Sequence, residues 1–241
     1  TEGGLHVPLV VRGPDKYVTK GKVRDDLVDI LDLSATTLAW AGIEKPDWFE
    51  GQDLFGSDFQ SRSFVASAKD RLDHTIDRVR TIRTERFRYT RNYKLDRILL
   101  QPQYRDHQPY TQILHTLYDS GKLSPKLAEI FFGERRPEEL YDVQRDPYQL
   151  NNLVDDPRFA GVLEEHRTLL DGWLSKGDMG EIEEPDAEIA FQNDGPEKWR
   201  KVNPEYEHLR VDSDGDGLSD QWESYNNRDA NDGKLLFTFD C

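Results

Sequence analysis

The densest group of chemically competent side chains is Asp212-Ser213-Asp214-Gly215-Asp216-Gly217-Leu218-Ser219-Asp220-Gln221-Trp222-Glu223. Read as a twelve-residue loop, it places carboxylates at positions one, three and five, glycine at six where the chain must turn sharply, and glutamate at twelve. Leu218 at seven offers a main-chain carbonyl, and Asp220 at nine can bind directly or through water. Carboxylates crowded this closely repel one another unless a hard cation sits among them. Asp212, Asp214, Asp216, Leu218, Asp220 and Glu223 therefore read as calcium ligands, against the bland alternative of a hydrated Asp/Gly turn. Flanking helices are not evident, which argues against a paired sensor domain.

A second concentration has the opposite sign. Arg71, Arg78, Arg80, Arg83, Arg86, Arg88 and Arg91 crowd into a short stretch of a chain whose formal net charge is −15. Guanidinium groups suit bidentate contact with sulfate or carboxylate oxygens. The alternative is a solvated sheet face paired with Asp70, Asp73, Asp77 and Glu85. The global charge repels nucleic acid at long range, so a polyanion site must rest on this local cluster. His6 and His74 are isolated and read more readily as hydrogen-bonded structural groups than as catalysts. The one cysteine, Cys241, offers neither an internal disulfide nor a thiolate metal cluster.

These side chains need elements to hold them. The chain's 241 residues suffice for two packed regions and a tail, and no run is apolar enough to cross a membrane. Val7 to Val11 reads as a buried strand stopped at Arg12-Gly13-Pro14. Leu27, Ile30, Leu31, Leu38 and Ala41 give a helix face over 25–41 ending at Gly42, with Asp32 as an alternative cap for a shorter helix. Strands are expected at 64–66, 79–83 and 87–93, with Thr84-Glu85 as a tight turn; Phe87, Tyr89 and Tyr93 share one face and Arg86 and Arg88 the other. Short helices are possible at 111–120 and 125–132. Leu140 to Val143 reads as a last short strand. Asp156 and Pro157 open a helix whose apolar stripe is Phe159, Val162, Leu163, His166, Leu170, Trp173 and Leu174. An acidic, apolar-poor linker follows. The expected domains are 1–58, 59–176, a linker at 177–205 and a tail at 206–241.

Several of these segments resemble sulfatases of the alkaline-phosphatase-like superfamily. Glu2-Gly3-Gly4 with Leu5 to Val11 is similar to the segment entering a late strand of the catalytic sheet. Val28 to Thr36 with Ala41-Gly42-Ile43 resembles the helix that comes next, and Gly51-Gln52-Asp53-Leu54 the turn after it. The most specific match is Glu139-Leu140-Tyr141-Asp142, Asp146-Pro147, Asn152-Leu153 and Asp156-Pro157 followed by a helix to Trp173, the family's C-terminal signature in order and spacing. The hairpin at 79–93 and that signature look closest to heparan N-sulfatase-like members. The acidic loop is similar to thrombospondin type 3 repeats, and Asp229-Ala230-Asn231-Asp232-Gly233 resembles the broken start of another.

The resemblance implies an α/β fold: the last layer of the catalytic domain, a small antiparallel sheet with a packed helix, then the linker and calcium tail. It implies a sulfated-carbohydrate substrate gripped by Arg71, His74 or Arg80, since the loop before the hairpin is where such enzymes read the sugar. Family chemistry uses a formylglycine made from Cys-x-Pro-x-Arg or Ser-x-Pro-x-Arg and a catalytic calcium. Neither that motif nor its metal-binding aspartates is found here, so no catalytic residue is assigned and the segment is expected to be silent without the N-terminal catalytic part of the enzyme. A calcium loop suited to extracellular calcium points to a secreted or periplasmic protein. The competing class is a non-catalytic, calcium-dependent binding or anchoring module.

Overall fold

The computed structural model describes residues 2–72, 75–101, 103–178, 211–216, 218–225 and 227–233. The expected linker lies almost wholly outside them, as do His74 and Cys241. The fold is mixed α/β: α1 (Glu2–Leu5), α2 (Ile30–Trp40), β1 (Phe64–Leu72), β2 (Thr75–Thr84), β3 (Phe87–Asn92), α3 (Pro109–Asp119), α4 (Pro125–Phe132), β4 (Glu138–Asp142), α5 (Ala160–Leu174) and α6 (Asp220–Tyr225). One sheet runs in the order β1-β2-β3-β4, and β3 pairs with β4 antiparallel from Phe87↔Asp142 to Arg91↔Glu138. The chain packs as two compact units, each gathered from several stretches: 1–67, 80–91 and 138–176 in the first, 68–79, 92–137 and 177–241 in the second.

In the first unit, α2 begins three residues before the shorter sequence alternative. Asp29 caps it by accepting from Leu31 N–H, and Asp32 reaches back to Asp29 N–H at 2.9 Å, a reciprocal capping box. Asp32 is fully buried and also takes Gln52 N–H at 2.8 Å and the Arg62 guanidinium. Thr36 Oγ1 accepts from Leu54 N–H at 2.9 Å, so the turn at 51–54 is bolted to the helix by side chains one turn apart. A methyl at Gly51 would run into the Leu31 carbonyl, which is why glycine stands there. Gly42, at φ +70°, ends the helix as expected.

The strand expected at Val7 to Val11 does not form. Its residues belong to no helix or strand, with Val7 64%, Leu9 48% and Val10 90% exposed, and the element before them among the described residues is the short α1. A strand is held by main-chain bonds to a neighbour, and none pairs with this run among the described residues.

The unit's core is Ile82, Tyr89, Leu140, Leu163 and Leu170, flanked by Phe64, Phe87, Phe159 and Trp173. The helical stripe read from the sequence thus packs on the inward-facing strand residues. Asp156 caps a short 3-10 turn at Pro157–Phe159 that leads into α5. The hairpin turn is Glu85-Arg86 rather than Thr84-Glu85. Thr84 completes β2, and its Oγ1 accepts from Phe87 N–H at 3.3 Å. Asn152 Oδ1 takes Leu140 N–H at 2.9 Å and Val154 N–H at 3.1 Å, which welds the loop after β4 to that strand.

In the second unit, α3 and α4 form close to the expected spans, α4 capped by Ser124 with Pro125 in its first turn. Tyr118 stacks on Phe132 at 4.0 Å between ring centroids and so joins the two helices. Asp77, fully buried, is the polar centre of this unit. It pairs with Arg135 and with Lys69 at 2.9 Å, and takes Gln101 Nε2–H at 3.0 Å. Burial pushes its pKa up, but the Arg135 and Lys69 bonds win and hold it at about 2.

Candidate functional site

The arginine cluster is largely neutralised by acids that the local sequence does not suggest. Arg83 Nε meets Glu2 at 3.0 Å, Arg86 meets Asp142 at 2.6 Å and Arg91 meets Asp171 at 2.7 Å, all within the first unit. In the second unit Arg78 meets Asp178 at 3.0 Å and lies over the Tyr93 ring at 4.3 Å. Asp77, expected to balance the cluster, is instead held by Arg135 and Lys69. The spacing read from sequence favoured near neighbours. The actual counter-ions come from α1, β4, α5 and the segment after it, and no local signal marks them.

Nor is the arginine face of β3 solvated. Arg88 is only 4% exposed; its Nη1 donates to Gln149 Oε1 at 3.3 Å and lies 3.7 Å from Glu2, and burial lowers its pKa. Gln149 holds a left-handed backbone, φ +55°, that lets the same Oε1 also accept Glu2 N–H at 2.7 Å. Both faces of β3 are therefore covered, because an ion-pair network, not water, closes the second one.

Of the residues expected to grip a substrate, Arg80 is completely buried on β2, at odds with contact to a polymer in solution. Arg71 sits half-buried on β1, and His74 lies outside the described residues. Trp40 packs between Tyr17 and Phe55, and Trp173 in the core, so neither offers a sugar platform. A shallow cleft of about 310 Å³ lies against α2, lined by Ala35, Ala39, Lys45, Gln52, Asp53 and Phe59 among others.

The acidic loop is compact. Gly215, at position four, turns it at φ +75°, while Gly217, the glycine expected at the sharp turn, lies outside the described residues. Asp212 accepts Gly215 N–H at 2.7 Å and Asp216 accepts Leu218 N–H at 2.8 Å, main-chain bonds that set the carboxylates around one centre. One oxygen each of Asp212, Asp214 and Asp216 lie within 4.8 Å of one another, and so do oxygens of Asp214, Glu223 and Asp232. Glu223, on α6, is fully buried, and neither of its carboxylate oxygens accepts a hydrogen bond; Asp216 Oδ2 is likewise buried without one. The Arg228 guanidinium stands 3.8 Å from Glu223 and 4.0 Å from Asp216, too far to bond them. Burial, then the charges of Asp214 and Asp216, raises the Glu223 pKa.

Asp220 is clasped by the loop itself. Its Oδ1 takes Ser213 N–H at 2.7 Å and its Oδ2 the Ser213 hydroxyl at 2.6 Å, so both oxygens clasp loop position two and neither joins the carboxylate groups. Asp232, which lies beyond the loop and was not picked out as a ligand, joins them instead.

No established family profile matches the chain. An ulvan-active sulfatase of Formosa agariphila is 32% identical over 192 residues, covering 78% of this chain and 32% of that protein. The human N-sulphoglucosamine sulphohydrolase is 28% identical over 189 residues, covering 70% of this chain and 36% of its own length. The solved structure of a 2-O GAG sulfatase superimposes with a TM-score of 0.42 at 24% identity, covering 68% of this chain and 28% of that one. The chain thus spans about a third of the length of the curated relatives it matches.

Proposed function

From the premise that this chain is a homologue of sulfatases and corresponds to their C-terminal part, we propose that it is the C-terminal segment of an enzyme that hydrolyses sulfate esters or N-sulfate of a sulfated glycan. The observation that carries the reading is the 32% identity over 192 residues to a sulfatase active on ulvan. It is supported by the connected packing of the signature from Glu139 to Trp173, in which Asn152 ties β4 to the loop that leads into α5.

In this reading the segment contributes position rather than bond-breaking. Formylglycine and catalytic calcium would come from the N-terminal part of the same enzyme. Arg71, half-buried near the end of β1, is the proposed sugar contact, with His74 beyond it in the sequence. Arg80 is not retained for this role, given its burial.

The tail is proposed to hold calcium through Asp212, Asp214, Asp216, the Leu218 carbonyl and Glu223. A buried glutamate whose oxygens accept no hydrogen bond is costly without a cation. Calcium at extracellular levels would load such a loop, consistent with a secreted or periplasmic protein.

The test is sulfate release from sulfated oligosaccharides, read by ion chromatography. The chain joined to its upstream coding sequence is expected to release sulfate, and the chain alone is not. Activity of the isolated chain above a blank would overturn the division of labour. A complete gene product without Cys-x-Pro-x-Arg or Ser-x-Pro-x-Arg, inactive but retained on a glycan column in calcium, would favour the alternative of a calcium-dependent binding module.

A further inference from the structure

The twelve-residue loop leaves its own cation site short of ligands, and the structure indicates where the balance comes from. Position nine stands apart: Asp220 is clasped by Ser213 at 2.7 and 2.6 Å and its oxygens do not gather with those of Asp212, Asp214, Asp216, Glu223 and Asp232. A calcium ion takes about six to eight oxygens, several of them carboxylate. The Glu223 carboxylate, fully buried with neither oxygen hydrogen-bonded, points into a group whose other members are Asp214, from the loop, and Asp232, from outside it.

We propose that Asp232 is a ligand of the same calcium ion as Asp214 and Glu223, so that the site is discontinuous and is closed by the strap at 227–233. The proposal rests on the reading of the loop as a calcium site and deepens it. The strap is shaped for this task. Asn227, at φ +55°, and Gly233, at φ +59°, turn the chain at its two ends. Gly233 N–H donates to Asp214 Oδ2 at 2.7 Å, which fixes the strap's end on the loop while Asp214 Oδ1 faces Asp216 N–H at 3.3 Å. Within the strap, Asp229 accepts Asn231 N–H at 3.1 Å and Asp232 N–H bonds the Asp229 carbonyl at 3.2 Å, a turn that presents Asp232 next to Glu223. The Asp229 to Gly233 segment is then the lid of the first cation site and not the start of a second.

Electrostatics points the same way. Asp214, Asp216, Glu223 and Asp232 converge on a space to which the strap brings a single guanidinium, Arg228, at 3.8 and 4.0 Å from two of them. Beyond hydrogen-bonding distance of Glu223 and Asp216, that guanidinium cannot satisfy the buried Glu223 oxygens. A divalent ion at the shared corner can.

The experiment is calcium titration calorimetry on the full chain, comparing wild type with Asp232→Asn, Asp232→Glu and, as a control for loss of one remote charge, Asp119→Asn. Loss of a ligating carboxylate is expected to weaken calcium binding about tenfold or more in Asp232→Asn, while Asp119→Asn stays within about twofold. Wild-type affinity in Asp232→Asn would overturn the inference and leave the loop reading intact. Absence of any calcium heat in wild type up to several millimolar would overturn the loop reading and this inference with it. Should Asp232→Asn also lower the melting temperature of the calcium-free chain, Asp232→Glu decides: it keeps the charge, and binding restored to within a few-fold of wild type supports ligation, whereas no restoration overturns it.

Discussion

Arg135 grips Asp77 as a fork across 58 residues of sequence, Nη1 to Oδ1 at 2.7 Å and Nη2 to Oδ2 at 3.0 Å. The carboxylate is fully buried, and removing it strands a buried guanidinium. Asp77→Ala is therefore expected to lower stability by about 3 kcal/mol near neutral pH, read by urea titration. The sign with pH follows from a folded pKa of about 2 against an ordinary 3.8. The stabilisation is complete above 3.8 and is lost as pH falls through the folded value, so the gap between variant and wild type should close between about pH 4 and pH 2. A gap unchanged at acid pH would show that Asp77 acts by packing alone.

In the complete enzyme, Arg71→Ala should reduce kcat/KM on a sulfated oligosaccharide about tenfold, the worth of one charge-assisted contact, and leave turnover of a small aryl sulfate within about twofold. Arg80→Ala should instead lower the melting temperature and depress both activities together, as expected of a buried framework residue. Equal losses on both substrates for Arg71→Ala would assign it to the framework too.

His166 is nearly fully buried between Val162 O, 2.8 Å from Nδ1, and Thr84 Oγ1, 3.0 Å from Nε2, and burial lowers its pKa. The unfolded chain binds a proton near 6.5 before the folded one does. Stability should therefore fall as pH drops below that value, by up to about 1.4 kcal/mol per unit until the folded pKa is reached. His166→Gln should flatten the slope on the acid side of pH 6.5. A slope that persists in the variant would place the titrating group elsewhere.

Arg228 stands where a cation would sit, near Glu223 and Asp216, and must yield some of that field when calcium enters. Arg228→Gln is expected to tighten calcium binding severalfold at low ionic strength, with the difference shrinking in high salt. Weaker binding in the variant would mean that the guanidinium organises the site rather than competing for it.

Much of this was legible because it is local. The α5 stripe and its Asp156-Pro157 start and the Gly42 stop each follow from a few adjacent residues, and each is found. The strand at Val7 to Val11 was misread because an apolar run reports preference for a buried ladder, not the presence of a neighbour. Local sequence misses the counter-ions of Arg83 and Arg78 for the related reason that Glu2 with Arg83 and Arg78 with Asp178 join distant stretches of chain. In the acidic loop, the motif marks Asp212, Asp214, Asp216 and Glu223 but neither the approach of Asp232, which lies beyond it, nor the clasp of Asp220 on Ser213.

The pairing of β3 with β4 has a consequence for how such a segment diversifies. Everything between Asn92 and Pro137 leaves and re-enters at one neck, closed by Asn92 N–H to the Pro137 carbonyl at 2.8 Å, by Asn92 Nδ2–H to the Arg136 carbonyl at 2.8 Å, and by the ladder beyond. The entropy of closing a flexible loop grows only with the logarithm of its length, so doubling the excursion would cost about 0.6 kcal/mol. Helices α3 and α4 can thus be exchanged, lengthened or trimmed by insertion and deletion while the sheet register holds. The neck makes this stretch a cassette, where a lineage can try new architecture without first re-solving the core.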